Sequence, residues 1–396
     1  MTKGESSSLK RKHFLKQLSV VLLCAFLFLF PVPSCHPLKI KPIEKIILIT
    51  LDTTRADRLG CYGYKSIKTP NLDRIAAEGF LFENATCQVP MTLPSHATIM
   101  TGLYPPRHGV RNNTNFALGE NAQTLAELLK QNGFKTGAAI SSFMVHSKFG
   151  MAQGFDEFDQ KFYIMPFGEP EDWAERRAQE TIDATIEWFG RNHNEEKFFY
   201  WLHLYDPHQK YDPPYPYADQ YVNNPYDGEI AYMDAELGRF FEYLKRIKLY
   251  DKTLFLIIGD HGEAFGEHGE YEHQNLIYES TMRIPFIIKM PGANKPKRIE
   301  VPVSTVDMFS TVLDLANMKI EGNPDGSSLV PLMKWGGSKW TGIYYIETMA
   351  PNLIYGWSSL KGIRSLEWKF IESSRSELYN LSDDPGENEN RIDKNP

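Results

Sequence analysis

The chain has 396 residues, 42% of them hydrophobic, enough for one large α/β domain or two medium ones with a substantial core. Its formal net charge is −7, with Lys+Arg 43 and Asp+Glu 50 mixed along the chain. That balance leaves no basic stripe of the kind that follows a phosphate backbone, so a nucleic-acid duplex is not an expected partner.

The chain begins with a basic stretch, Lys10 to Lys16, followed by an apolar run from Leu18 to Phe30, then Pro31 and a small residue before Cys35. That order reads as a signal peptide over residues 1–35, and the run is too short to span a bilayer comfortably. Val32, Pro33, Ser34 and Cys35 resemble a bacterial lipobox, although proline just before the serine is atypical. The expectation is an exported chain, periplasmic or at the cell surface. It is lipid-anchored at Cys35, plainly secreted or held by an uncleaved anchor, and it meets the membrane only through this N-terminus. With Cys24 and Cys35 in the signal, Cys61 and Cys87 are left to pair in an oxidising compartment or to stay free, and no cysteine spacing suits a metal.

Beyond the signal, short β-branched or aromatic runs alternate with amphipathic segments, the pattern of a mostly parallel sheet covered by helices, an α/β fold. Strands are expected over Lys45 to Leu51, Phe198 to Leu204, Leu254 to Ile258 and Pro285 to Met290. A helix over Leu72 to Gly79 closes on glycine. Another over Asp234 to Lys248 places Leu237, Phe240, Phe241, Leu244 and Ile247 on one face. The loop Tyr211 to Tyr221 is either a packed surface loop or a platform of rings for a sugar or base.

Three of the strands end in acidic or histidine-bearing turns, at Asp52, at Asp206, and at Asp260 with His261. In an open parallel sheet the ligand site lies beyond the carboxyl ends of the strands, so these groups are expected to converge. Taken singly, each acid also reads as a helix cap. Two carboxylates and an imidazole form a hard-to-borderline set suited to Zn²⁺, Mn²⁺, Mg²⁺ or Ca²⁺. Thr92 precedes Pro94 at a helix start, where its hydroxyl is either a simple cap or a group set in the positive end of the helix dipole. Downstream, Arg107, His108, Arg111, Asn112 and Asn113 offer donors suited to a tetrahedral anion.

The blocks LITLDTTRADRLGCYGY, TPNLDRIAAEGFLFENA, TLPSHATIMTGLYPPRHGV, LYDPHQKYDPP, GDHGEAFGEHG and ELYNLSDDPGE resemble, in order, the signature blocks of the sulfatase family, from about Lys45 to Asn390. The resemblance implies an alkaline phosphatase-like fold, a large mostly parallel sheet sandwiched by helices with a smaller C-terminal subdomain. Residues 44–320 would form the catalytic domain and 321–396 the subdomain. It also implies a divalent metal on Asp52, Asp260 and His261, with Thr92 as a further ligand in the nucleophile position. His203 and His208, with either His268 or His273, would surround the substrate's anionic group.

Two departures bear on the chemistry. Where sulfatases carry a cysteine or serine that becomes formylglycine, followed by proline and arginine, this chain has Thr92, Pro94 and His96, so no formylglycine is expected at Thr92. The TLPSH segment is instead similar to nucleotide pyrophosphatase/phosphodiesterases, with Asn113 falling where their phosphate-binding asparagine lies. Those enzymes hold a second metal through an aspartate and a histidine four residues on, whereas here Lys210 stands four residues after Asp206. Lys148 or Arg111 would then take over that charge. Thr53 stands where many sulfatases have a second acidic ligand, which tilts the site toward Mn²⁺ or Zn²⁺ over Ca²⁺. The leading expectation is hydrolysis of a phosphate mono- or diester through Thr92, with His208 or His203 protonating the leaving group. A sulfuric ester hydrolase is the alternative, and a non-catalytic binding protein the second. The substrate would be a small molecule, a glycan or a lipid head group.

Overall fold

The computed structural model describes residues 42–162, 175–292, 296–320, 322–335 and 340–394. The signal and lipidation features expected at residues 1–35 lie outside them. Eight strands form the central sheet: β1 (Lys45–Leu51), β2 (Phe80–Phe82), β3 (Lys135–Ala139), β4 (Glu157–Asp159), β5 (Phe198–Leu204), β6 (Leu254–Gly259), β7 (Phe286–Lys289) and β8 (Lys297–Ile299). Their order is β8-β2-β7-β6-β1-β5-β3-β4. β6, β1, β5, β3 and β4 run parallel, while β7 is antiparallel to both of its neighbours.

Both faces of the sheet are covered, so its middle strands are apolar throughout rather than alternating. Ile46, Leu48, Phe199, Trp201, Leu256 and Ile258 point into one core, against α2 (Thr92–Thr101), α3 (Leu125–Gln131) and α6 (Asp307–Leu315). Ile47, Ile49, Leu51, Tyr200, Leu202 and Ile257 point into the other, against α1 (Pro70–Ala77), α4 (Ala178–Asn192) and α5 (Pro225–Arg246). The α5 stripe of Leu237, Phe240, Phe241 and Leu244 is wholly buried, and the helix begins nine residues before the sequence suggests, at Pro225, with Asn224 capping the Asp227 amide. Cys61 and Cys87 are both free.

The register of the three central strands positions the site. Thr50 of β1 lies beside His203 of β5 and Ile258 of β6, and Leu51 lies between Leu204 and Gly259. The chain therefore leaves β1 at Asp52 and β6 at Asp260 side by side. The C-terminal part adds a four-stranded antiparallel sheet, β9 (Tyr344–Thr348), β10 (Leu360–Arg364), β11 (Trp368–Glu372) and β12 (Glu377–Asn380). β9 reaches the segment before α2, where the Glu347 amide donates to the Gln88 carbonyl, and Ala350 packs on Val89 and Met91.

Candidate metal centre and active site

Asp52, Asp260 and His261 are fully buried, and each offers a ligand atom within 4.8 Å of the others. One oxygen of each carboxylate is tied down. Asp260 Oδ1 accepts the backbone N–H of His261 at 2.7 Å and of Thr53 at 3.1 Å. Asp52 Oδ2 accepts the Nε2–H of His203 at 3.1 Å. The other oxygens, Asp52 Oδ1 and Asp260 Oδ2, are buried with no hydrogen-bond partner among the described residues. His261 Nδ1 donates to the Gly262 carbonyl at 2.9 Å, which leaves the Nε2 lone pair 3.4 Å from Asp260 Oδ2 and 3.8 Å from Asp52 Oδ1.

Burial pushes both aspartate pKa values well above the carboxylate range, and the Asp52 charge adds to the effect at Asp260. Without a positive partner the pair would hold a proton. Two free carboxylate oxygens and a neutral imidazole nitrogen aimed at one point fit a divalent cation. Thr53, which joins Asp52 to this turn, sits at φ 46, a left-handed conformation that a β-branched residue adopts only under constraint. Its hydroxyl donates to the Pro207 carbonyl at 2.5 Å, so it turns away from the cluster.

Thr92 opens α2 and is 1% exposed. Its Oγ1 lies 3.4 Å from His261 Nε2. The Leu93 amide in the same turn is held by Asn113 Oδ1 at 2.9 Å. The Ser95 hydroxyl ties α2 to the Asp260 carbonyl at 2.7 Å. His96 is neutral and buried: its Nδ1–H donates to the Thr92 carbonyl at 2.8 Å, and its Nε2 accepts from Thr50, whose oxygen in turn accepts the Trp201 indole N–H.

The expected histidines separate into different environments. His203 has both ring nitrogens engaged, Nδ1 accepting the Ser141 amide and Nε2 donating to Asp52; burial and the Arg176 charge lower its pKa to about 3. It orients Asp52 and has no nitrogen left for a substrate. His208 is stacked 4.2 Å from Tyr205 and donates Nδ1–H to the Gln209 carbonyl; burial and the neighbouring His273 lower its pKa to about 3. Of the His268 and His273 alternatives, only His273 joins the cluster, its ring 4.4 Å from that of His261 and 5.3 Å from that of His208. His268 instead stacks 3.6 Å from Tyr278, bonds the Gly386 carbonyl and lines another cavity, of about 470 Å³.

Three further expected groups are already engaged. Arg111 grips Glu347 with Nε and Nη2, so its fork is taken by a carboxylate. The Lys148 ammonium sits 3.7 Å from the centre of the Phe143 ring. Asp206 turns from the cluster to cap α4, with Oδ1 on the Ala178 amide at 2.9 Å. Glu263 and Ser141 were not apparent from the sequence. The sequence signal for Glu263 is its place in the GDHGEAFGEHG block, two residues after His261.

Comparison with known proteins identifies the family. The family model for sulfatases matches residues 44–318, and that for the C-terminal region of N-sulphoglucosamine sulphohydrolase matches residues 266–396. An arylsulfatase of Clostridium perfringens is 25% identical, covering 88% of this chain and 90% of its own length. An N-acetylglucosamine-6-O-sulfatase of Bacteroides thetaiotaomicron is 24% identical, over 88% and 82%. Among solved structures, the phosphonate monoester hydrolase of Agrobacterium radiobacter superposes with a TM-score of 0.76 at 20% identity, over 90% of this chain and 92% of that one. The fold is thus alkaline phosphatase-like, and the match across most of its length shows that this chain belongs to the sulfatase family of ester hydrolases.

Proposed function

We propose that the protein is a metal-dependent hydrolase of sulfate esters on glycans, with Thr92 Oγ1 as the nucleophile. The observation that carries this reading is the convergence of Asp52 Oδ1, Asp260 Oδ2, His261 Nε2 and Thr92 Oγ1 at the carboxyl ends of β1 and β6. Asp52, Asp260 and His261 would hold a divalent cation, which would supply Lewis acidity to the reaction when bound. The positive end of α2 favours the anionic group. Asn113 holds the first turn rigid, and His203 holds Asp52. With His203 committed and His208 carrying its proton on the Gln209 side, His273 is the imidazole left to protonate the leaving oxygen. The glycan substrate is supported by the names of relatives, which act on N-acetylglucosamine 6-O-sulfate, N-acetylgalactosamine 6-O-sulfate and hexuronate 2-O-sulfate.

A phosphate or phosphonate monoester is the second reading, favoured by the intact hydroxyl at residue 92. Aryl sulfate, aryl phosphate and bis-aryl phosphate are compared side by side, with Mn²⁺, Zn²⁺, Mg²⁺ or Ca²⁺ returned to chelated protein. Sulfate turnover above phosphate turnover is the expected result, and the reverse order moves the assignment to the second reading. Thr92→Ala should abolish turnover with the thermal midpoint kept; appreciable residual activity would refute the nucleophile assignment. Export rests on the N-terminal sequence, and mass spectrometry of the mature N-terminus tests it: residues 1–34 retained without modification of Cys35 would contradict cleavage.

A further inference from the structure

We infer that Glu263 is a positioning residue that fixes the orientation of His273 by holding its Nδ1–H, braced in turn by Tyr211. This rests on the reading above, in which His273 protonates the leaving oxygen. Glu263 is fully buried two residues after His261. Its Oε1 accepts His273 Nδ1–H at 3.0 Å, and its Oε2 accepts the Tyr211 hydroxyl at 2.8 Å. Both oxygens are occupied, so Glu263 serves the histidine and does not add a carboxylate to the metal ligands. Its main chain is pinned as well, by Arg55 Nη1 on the Glu263 carbonyl at 2.8 Å. With Nδ1 committed to Glu263, Nε2 is the nitrogen His273 can present to the substrate.

The backbone around His273 is a second, independent sign that this ring is aimed. Glu272 at φ 79 and Gln274 at φ 95 flank it, both left-handed and neither glycine. Two such residues in a row of three are unfavourable and persist where surrounding contacts over-determine them. Here the Thr348 hydroxyl holds the Gln274 carbonyl from β9 at 2.5 Å, while Glu263 holds the ring from the other side. Tyr211 belongs to the tyrosine-rich loop. Its ring packs edge-on to Tyr226 at 5.4 Å and Phe265 at 6.3 Å, so it works inward as a brace and is not an exposed platform.

In the first half-reaction the bond from Thr92 Oγ1 to the tetrahedral centre forms, the hydroxyl proton having gone to solvent. The bond to the leaving oxygen breaks, and that oxygen takes the Nε2 proton of the His273 ring, which carries both ring protons before the transfer and keeps Nδ1–H on Glu263 after it. In the second, water attacks the Thr92 ester, gives a proton to Nε2 and its hydroxyl to the anion, and Oγ1 is released to be reprotonated by solvent. Glu263 keeps the ring in place through both transfers.

The test uses the full-length metal-loaded protein with two esters of one anion: 4-nitrophenyl sulfate, whose phenolate leaves unaided, and N-acetylglucosamine 6-sulfate, whose alkoxide needs a proton. If the wild type prefers phosphate, 4-nitrophenyl phosphate and glucose 6-phosphate replace them. Glu263→Ala should lose about 10²-fold or more in kcat on the sugar ester and less than about tenfold on the aryl ester, with KM little changed. Glu263→Gln, whose amide oxygen still accepts Nδ1–H, should recover part of the sugar-ester loss, and Tyr211→Phe should show a weaker form of the same split. Equal losses on both esters, or wild-type turnover in Glu263→Ala, would overturn the inference. Independently of turnover, the imidazole ¹⁵N spectrum should show Nδ1 of His273 protonated in the wild type and Glu263→Gln but mixed in Glu263→Ala. An unchanged spectrum refutes the role of Glu263, whereas the expected spectrum without hydrolysis of either ester faults the assignment of His273 instead.

Discussion

Asp52 and Asp260 each divide their two oxygens between two tasks, one bonded to the protein and one left bare toward a shared point. Bare, buried oxygens are unfavourable on their own, and a cation bound between them would relieve that cost. The donors behind them therefore matter as much as the ligands. His203→Ala removes the side chain that holds Asp52 Oδ2, and metal affinity should fall by about 10- to 100-fold. Competition against a chelator measures this; an unchanged Kd for Mn²⁺ or Zn²⁺ would show that Asp52 needs no such support. The convergence of Asp52 and Asp260 was legible in the sequence because an acid directly after an apolar strand is a local pattern. The partners that orient the site's histidines were not. Ser141 meets His203 across 62 positions and Glu263 meets His273 across 10, in loops whose course is set by packing and by no spacing rule.

The same division between local and remote information holds for strands and helices. β1 and β5 have the limits the sequence suggests, since a strand buried on both faces is an unbroken apolar run. β2 and β8 have three residues each, and Lys297–Ile299 carries two charges, so neither stands out until the neighbouring strand is in place. The parallel arrangement followed from the alternation of strand and helix; the reversal at β7 did not, because only its pairing with β6 defines it. Close contact between layers is equally invisible in one dimension. Gly137 of β3 faces Trp188 of α4 so tightly that a Cβ there would lie 2.5 Å from the indole. Gly137→Ala should therefore push α4 off the sheet and cost about 1–3 kcal/mol of stability. A urea midpoint equal to that of the wild type would mean that α4 shifts freely, contrary to its buried Ile182 and Phe189.

The C-terminal sheet is joined to the catalytic part by a buried ionic knot, and this makes the stability of the whole protein depend on pH. Glu279, shortly after the active-site turn, pairs with Arg364 of β10 at 3.1 Å and Lys369 of β11 at 3.2 Å, and Lys369 reaches Glu387 at 2.9 Å. Arg364 and Lys369 are 2% and 0% exposed. Burial opposes the Glu279 charge, but Arg364 and Lys369 outweigh it and hold the pKa at about 2. A carboxyl whose folded pKa lies below its unfolded value of 4.5 stabilises the fold fully above pH 4.5, and this contribution is lost as the pH falls toward 2. Glu387 has the opposite sign: burial raises it to about 7 despite Lys369, so its contribution is present below pH 4.5 and lost as the pH rises through 7. Together the two place the knot's greatest contribution near pH 4.5. Glu279→Gln takes the carboxylate from buried Arg364 and leaves Lys369 with Glu387, and it should lower stability at pH 7 by about 3–5 kcal/mol. The deficit relative to wild type should shrink as the pH drops from 4.5 toward 2, where Glu279 is neutral in both proteins. Thermal midpoints of the pair across that range decide the matter, since a gap that stays constant with pH would mean that Glu279 acts through shape and not through its charge.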